Sequence, residues 1–327
     1  MRWPSRRADA RPRPAVRLAL VWAAALAACV LFLTLGIQGP VEYALTRRAT
    51  VLGAMVVAAF AHGVGTVLFH TATGNRILTP SIIGFDSMYT LMQTLTVFLF
   101  GATAIATSES IPKLLLQTGL MVAASTLLYG WLLGGRRGSV MMLLLVGVVL
   151  GLAFDSVSSF LQRLLSPTEH DILSIELFGR ISAVPVEYLP LALAVCAAVA
   201  VVVWRRVHRL DVLLLGRDQA TCLGVHHRRE LTVVLLLVAV LVAFATALLG
   251  PMTFFGFLVA TLAYRLAGDH RHRAVLPMAF GLGLLALALS QTVMEHVFDA
   301  NGVLTVIIEA VGGIVFLVLL FTSRRAL

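Results

Sequence analysis

The sequence predicts an all-α polytopic membrane protein of about ten transmembrane helices, with both termini cytoplasmic and a short two-helix loop on the cytoplasmic side. Three observations predict it. Of 327 residues, 59% are hydrophobic and 13% charged, with a mean hydropathy of +0.95; no water-soluble core needs so much apolar surface. The apolar residues fall in runs near the ~20 residues that cross a bilayer, separated by short polar breaks. With the N-terminus taken as cytoplasmic, 20 of the 25 lysines and arginines lie in inner segments, the bias expected of cytoplasmic loops.

Residues 1–17 hold six arginines and read as a disordered basic arm. The first span is Leu18 to Ile37. Its Leu26-Ala27-Ala28-Cys29 box and the earlier Arg6-Arg7 imitate export signals, but the apolar run continues past the cysteine, as a retained helix does. The second span, Val51 to Thr71, follows Arg47 and Arg48 and is rich in small residues (Ala58, Ala59, Ala61, Gly63, Gly65) that let helices approach closely in lipid. His62 and His70 are eight residues apart, about 80° around a helix and two turns along it. They cannot share one ion and read as structural histidines inside the bundle.

Pro80 and Gly84 keep the second span from running into the third, Ile82 to Phe100, which takes Asp86, Ser87, Tyr89 and Gln93 into the membrane. The fourth span is Leu114 to Leu133. The fifth, Val140 to Phe160, follows the inner turn Gly134 to Ser139 and ends in a polar stretch containing Asp155. The outer segment Gln162 to Tyr188 carries a short surface helix over Asp171 to Phe178. The sixth span is Leu189 to Trp204, the seventh Leu231 to Leu249, broken by Gly250-Pro251, and the eighth Phe254 to Leu266. Gly268 to Arg273 is an inner loop. Val275 to Val293 and Val303 to Phe321 are the last two spans, giving one membrane domain over residues 18–323 and a cytoplasmic tail at 324–327.

The longest polar interruption after residue 180 is Arg205 to Glu230, with six arginines and three histidines. Asp211 is placed to cap a turn over Val212 to Leu215 that Gly216 ends. Asp218 is placed to cap a second over Gln219 to Leu223, with Gly224 as its C′ glycine. Two readings stand side by side: a rigid knob that docks a cytoplasmic partner, and a solvated positive-inside loop with incidental helix.

The chemistry is mostly exclusion. No phosphate-binding G-x-x-x-x-G-K-[ST] loop is present, and the single lysine, Lys113, lies in an outer loop. Three scattered cysteines make neither a disulfide framework nor a zinc site. His226-His227 and the pair His270 and His272 sit among arginines that repel a cation, so no metal site is expected. The net charge of +9 is dispersed in short loops, which fits membrane lipid headgroups and not nucleic acid. Asp86, Asp155 and Glu309 are the few intramembrane acids. A proton-driven carrier would need them as a relay, while hydrogen bonding between helices accounts for a carboxylate such as Glu309 without one.

Several stretches together resemble the permeases of iron-siderophore and cobalamin importers of the type II ABC class (FecCD/BtuC-like). They are RRATVLGAMVVAAFAHGVGTVLFHTATGNRILTPSIIGFDS, the loop LLLGRDQATCLGV, GPMTFFGFLVATLAYRLAGDHRHRAVLP and the last span VLTVIIEAVGGIVFLVLL. They recur in the family's order over residues 40–322, and the asparagine-to-proline turn is similar to the branch importing ferric catecholate-type siderophores. Two departures stand out: Thr46-Arg47-Arg48-Ala49 replaces an arginine-leucine-proline-arginine, and Val259-Ala260-Thr261 replaces a valine-proline-histidine.

The resemblance implies a permease subunit in a bacterial inner membrane, without catalytic residues, cofactor or nucleotide site of its own. Its partners would be cytoplasmic ABC ATPases, a second permease subunit and a periplasmic or lipid-anchored siderophore-binding protein, with cobalamin or haem as rival cargo. It assigns ATPase coupling to Asp211, Leu214, Leu215, Gly216, Asp218, Ala220, Leu223 and Gly224. Arg47 and Arg48 would contact the binding protein. Gly138, Ser139, Asp86, Asp155 and Glu309 would line or gate the path.

Overall fold

In a computed structural model, the structure describes residues 14–36, 40–101, 111–134, 140–178, 181, 184–297, 310–314 and 317. The described regular elements are helical. They are α1 (Pro14–Thr34), α2 (Val41–Thr73), α3 (Phe85–Phe100), α4 (Ile111–Gly134), α5 (Val140–Gln162), α6 (Pro167–Leu177), α7 (Leu189–Leu213), α8 (Arg217–Cys222), α9 (His227–Leu249), α10 (Phe255–Leu266) and α11 (His272–Val297). Seven of these helices are long and apolar enough to cross a membrane. The expected tenth span falls largely outside the described residues, with a helical piece at 310–314.

The centre is built by α2, α9 and α11, whose apolar windows are mostly buried, whereas α1, α4, α5 and α7 turn most of their surface outward. In lipid, association rests on close packing, and the small residues supply it. A Cβ on Gly256 would stand 2.2 Å from Thr66 Oγ1 and 2.9 Å from the His62 carbonyl oxygen. One on Gly283 would meet Ala59 Cβ at 3.1 Å. These glycines bring α10 and α11 against the middle of α2. There the helix widens into a π-helical turn, Ala59–Val64. Along its other side α11 carries α1, with Phe280 meeting Trp22 and Phe60 edge-on at 5.3 and 5.5 Å.

Breaks fall where glycine and proline set them. The chain leaves α2 at Gly74 (φ 65°), makes a short 3-10 turn over Ser81–Ile83 and enters α3 through Gly84 at φ 103°. Gly84 and Gly151 of α5 approach so closely that a Cβ on either would lie 3.1 Å from the other's Cα. Gly250-Pro251 separates α9 from α10, and Phe254 in that break seats the double glycine of the last span: a Cβ on Gly312 would meet Phe254 Cβ at 2.7 Å.

Several boundaries differ from the sequence expectation. Helix α1 starts at Pro14, inside the stretch read as disordered, and its Arg17 reaches Gly268 in the turn before α11 (3.1 Å from a Cβ built there). Helix α2 starts ten residues before Val51. Its 33 residues extend about 50 Å, beyond a hydrocarbon core about 30 Å thick. The surface helix is Pro167–Leu177, started by a capping box in which Ser166 accepts from the Glu169 N–H while Glu169 accepts from the Ser166 N–H at 3.0 Å. The Ser166 hydroxyl, which also donates to the Glu169 carboxylate at 2.8 Å, and then the Ser166 N–H lower the pKa of that carboxyl.

Candidate functional site

The loop predicted to dock a partner is ordered, but not as two capped helices. Helix α7 passes through the arginines to Leu213, because Val203, Val207, Leu210 and Leu213 repeat at helical spacing and are buried. Asp211 therefore lies inside α7 and caps no turn of its own. This corrects the first of the two expected helices. The chain then turns at Gly216, at φ 91°, where a side chain would be strained. Gly216 is also the N-cap of α8, so Asp218 sits in the first turn of that helix and does not cap it, a second correction.

Helix α8 closes as expected at Gly224 (φ 79°). The Gly224 N–H donates to Thr221 O at 3.0 Å and the Val225 N–H to Ala220 O at 2.9 Å, the paired bonds of a Schellman ending. Ala220 is buried beneath the turn, while Leu214, Leu215 and Leu223 stand exposed on the surface. Together they form an exposed apolar cluster on a glycine-bounded turn.

Two ionic clusters fix this loop to the body. Glu230, in the first turn of α9, is buried and accepts from Arg206 and Arg209 of α7 at 2.7 Å each. The second is the bond network of Asp211. Its Oδ1 accepts from the His272 backbone N–H at 2.8 Å and from His272 Nδ1 at 2.6 Å. Asp211 thus supplies from α7 an acidic cap to the N-terminus of α11. The other ring nitrogen, Nε2, lies 2.7 Å from Thr71 Oγ1 in the last turn of α2. Beside α8, a cleft of ≈ 590 Å³ is lined by Arg217, His226, His227, Arg228 and Arg229 together with two threonines.

At the opposite end the two expected contact arginines part company. Arg47 is exposed. Arg48 is buried, pairs with Glu295 of α11 at 2.8 Å and donates to the Leu35 carbonyl at the end of α1. Arg48 is thus committed to partners within the chain, while Arg47 faces outward. His296 Nε2 holds the same carbonyl at 3.1 Å.

Asp86, Ser87 and Gln93 of α3 bond to neighbouring elements. Asp86 Oδ2 accepts from Thr253 at the α9–α10 break at 2.8 Å, and Ser87 donates to Asp155 of α5 at 2.9 Å. Gln93 donates to Tyr89 at 3.0 Å and accepts from Gln117 of α4 at 3.3 Å. Asp86 and Asp155 are thereby held by neighbouring hydroxyls. Gly138, Ser139 and Glu309 lie outside the described residues. A cavity lined by Ile83, Met88, Ser125 and Phe154 has a volume of ≈ 60 Å³, room for a few waters.

Neither buried histidine of α2 meets a ligand set. His70 Nε2 donates to the Leu78 carbonyl at 2.8 Å and its ring stacks on Tyr264 at 5.8 Å. His62 packs against Phe255, and its Nε2 has no hydrogen-bond partner among the described residues. Among the described residues, no three His, Cys, Asp or Glu side chains gather as metal ligands.

The sequence reading missed Glu230 and His272. Glu230 carried a signal, being the acid that closes a run of six arginines. Neither the Asp211–His272 nor the Arg48–Glu295 pairing had a local one.

Comparison with known proteins places these features. The model of the FecCD transport family matches residues 38–322. A petrobactin import system permease protein of Bacillus anthracis, FatC, is 44% identical over 85% of this chain and 78% of its own length. A second, YclO of Bacillus subtilis, is 35% identical over 96% of this chain and 99% of its own. The fold is similar to that of a metal-chelate type ABC transporter solved in an inward-facing conformation, with a TM-score of 0.78 and 23% identity over 94% of this chain and 99% of that one.

Proposed function

Since the chain belongs to the FecCD transport family, we propose that it is the permease subunit of an ABC importer that takes up a ferric siderophore, with petrobactin-type chelates as the first cargo to test. The single observation that carries the cargo is its 44% identity to a petrobactin import permease over 85% of the chain. In this reading the α8 end faces the cytoplasm, in keeping with the arginines clustered there, and about ten spans put both termini on that side.

The glycine-bounded turn with exposed Leu214, Leu215 and Leu223 is the seat of a separate ATPase. Gly216, Asp218, Ala220 and Gly224 shape that seat, and Asp211 anchors it from beneath. Arg47, exposed on the part of α2 that outruns the membrane, meets an acidic patch on the extracytoplasmic binding protein.

With a second permease subunit as part of this reading, the cargo runs over an outer face of this one. Helix α5 offers such a face, with Met141, Leu145, Val149, Leu152 and Phe160 exposed along it. A second permease subunit opposite would close the path, with Gly138 and Ser139 at its inner gate and Asp86, Asp155 and Glu309 along it. ATP binding in the ATPases would draw the two loops together and rock the permease halves.

The test is uptake of radiolabelled ferric petrobactin, with labelled cobalamin alongside, by cells lacking this chain and by the same cells complemented. Loss and rescue of iron uptake alone is the expected result. Loss of cobalamin uptake alone would overturn the cargo and keep the architecture.

A further inference from the structure

We infer that α2 and α11 act as a single bar running from the coupling turn to the far face, and that His272 is the joint through which the turn drives it. The inference rests on the importer reading above and goes beyond it by naming the residues that carry the movement.

The bar is tied at both ends. At the loop end the His272 ring, 2% exposed, joins α11 to Thr71 in the last turn of α2 at 2.7 Å. At the far end Glu295 of α11 joins Arg48 of α2 at 2.8 Å. Between them, Gly283 against Ala59 and Gly63 against Ala279 leave no slack: a Cβ on Gly283 would lie 3.1 Å from Ala59 Cβ, and one on Gly63 would lie 3.2 Å from the Ala279 carbonyl. Two helices packed backbone to backbone and pinned at each end do not slide independently.

Asp211 links the coupling turn to that joint. It stands five residues before Gly216, on the last turn of α7. It holds both the backbone N–H and the ring of His272, at 2.8 and 2.6 Å. A displacement of the turn moves Asp211, and two charge-assisted bonds to one residue transmit it to the start of α11. The ring passes it to α2. Arg47, next to the far pin, then shifts with the bar, so the state of the ATPase reaches the face that receives the binding protein. His272 is a positioning residue here and touches no cargo.

The experiment uses the full transporter in nanodiscs, with its partner permease and ATPases. One spin label goes on the native Cys222, exposed on α8, and one on Tyr43→Cys at the far end of α2; Cys29 and Cys196 are buried and stay unlabelled. In the parent complex the 222-to-43 distance is expected to stay the same with and without ATP, because turn and bar move together. In His272→Gln it is expected to change on ATP binding. Uptake per assembled complex should fall about tenfold, as when one link of a coupled network is cut, while ATP hydrolysis persists.

Thr71→Val is the milder variant, removing one hydroxyl and leaving the Asp211 cap in place. It should show the same ATP-dependent change if His272→Gln fails to assemble. An ATP-dependent distance in the parent complex, or an invariant one in the assembled variants, overturns the inference. A parent complex that recruits no ATPase overturns the importer reading instead.

Discussion

The guanidinium of Arg48 meets the carboxylate of Glu295 at 2.8 Å across 247 residues of chain, and so ties the early helix α2 to the late helix α11. Its neighbour Arg47 lies exposed one residue away. Adjacent arginines that look alike in sequence therefore hold different positions, and substitution separates them. Arg48→Ala takes the guanidinium from a partly buried carboxylate and leaves the Leu35 carbonyl to His296 alone. It should lower stability by about 1–3 kcal/mol, less than a fully buried pair because Glu295 is partly exposed. Arg47→Ala should leave stability unchanged and weaken capture of the binding protein. Thermal unfolding in detergent and surface-immobilised binding measure the two effects.

Glu230 offers a second substitution. With Gln in its place, Arg206 and Arg209 both converge on a neutral amide at a site where the carboxylate is buried. The expected outcome is a loosened α7–α9 junction, lower stability by about 1–3 kcal/mol and faster protease nicking near Gly224. Cleavage at the parent rate would show that the arginines find other partners.

Glycine substitutions should divide by contact. Gly256→Ala sets a methyl 2.2 Å from Thr66 Oγ1 and 2.9 Å from a backbone oxygen, which the helices can relieve only by parting. A loss of about 1–3 kcal/mol is expected. Gly119→Ala in α4, with nothing within 4 Å, should be neutral or slightly stabilising. Heat-induced aggregation of the two purified variants makes the comparison.

Cysteine reactivity reads the coupling turn directly. Cys222 is exposed, whereas Cys29 and Cys196 are buried. A water-soluble maleimide should label one thiol per chain in the isolated permease. Docking of the ATPase should suppress that labelling. Unchanged labelling in the assembled complex would move the seat away from α8.

The positions of the seven long apolar helices were legible because hydropathy and Gly-Pro breaks are local signals. Gly216, Gly224 and the Ser166-to-Glu169 capping box could likewise be read from single residues and short spacings. The end of α7 was misread for a physical reason. Charge at Arg205 and Arg206 marks where a helix leaves lipid, not where it ends, and the buried repeat Val203, Val207, Leu210, Leu213 carries the helix onward. Asp211 was read as a cap for the turn after it and in fact caps a helix 61 residues later. An aspartate shows in sequence that it wants an N–H donor, but not which one the fold delivers.

Helix α1 leans along α11, with Trp22 against Phe280. Synthesis runs from one to the other at about 5–20 residues per second, so the 247 residues between Arg48 and Glu295 take roughly 12–50 s to make. Through that interval the newborn α1 and α2 sit in the bilayer without their wall. The inward face of α1 (Ala25, Ala28, Cys29 and Phe32) meets lipid or an insertion chaperone, and the arginine waits for its acid. Biogenesis thus has a late checkpoint: a ribosome that stalls before residue 295 leaves a fragment that cannot close, a substrate for membrane quality control.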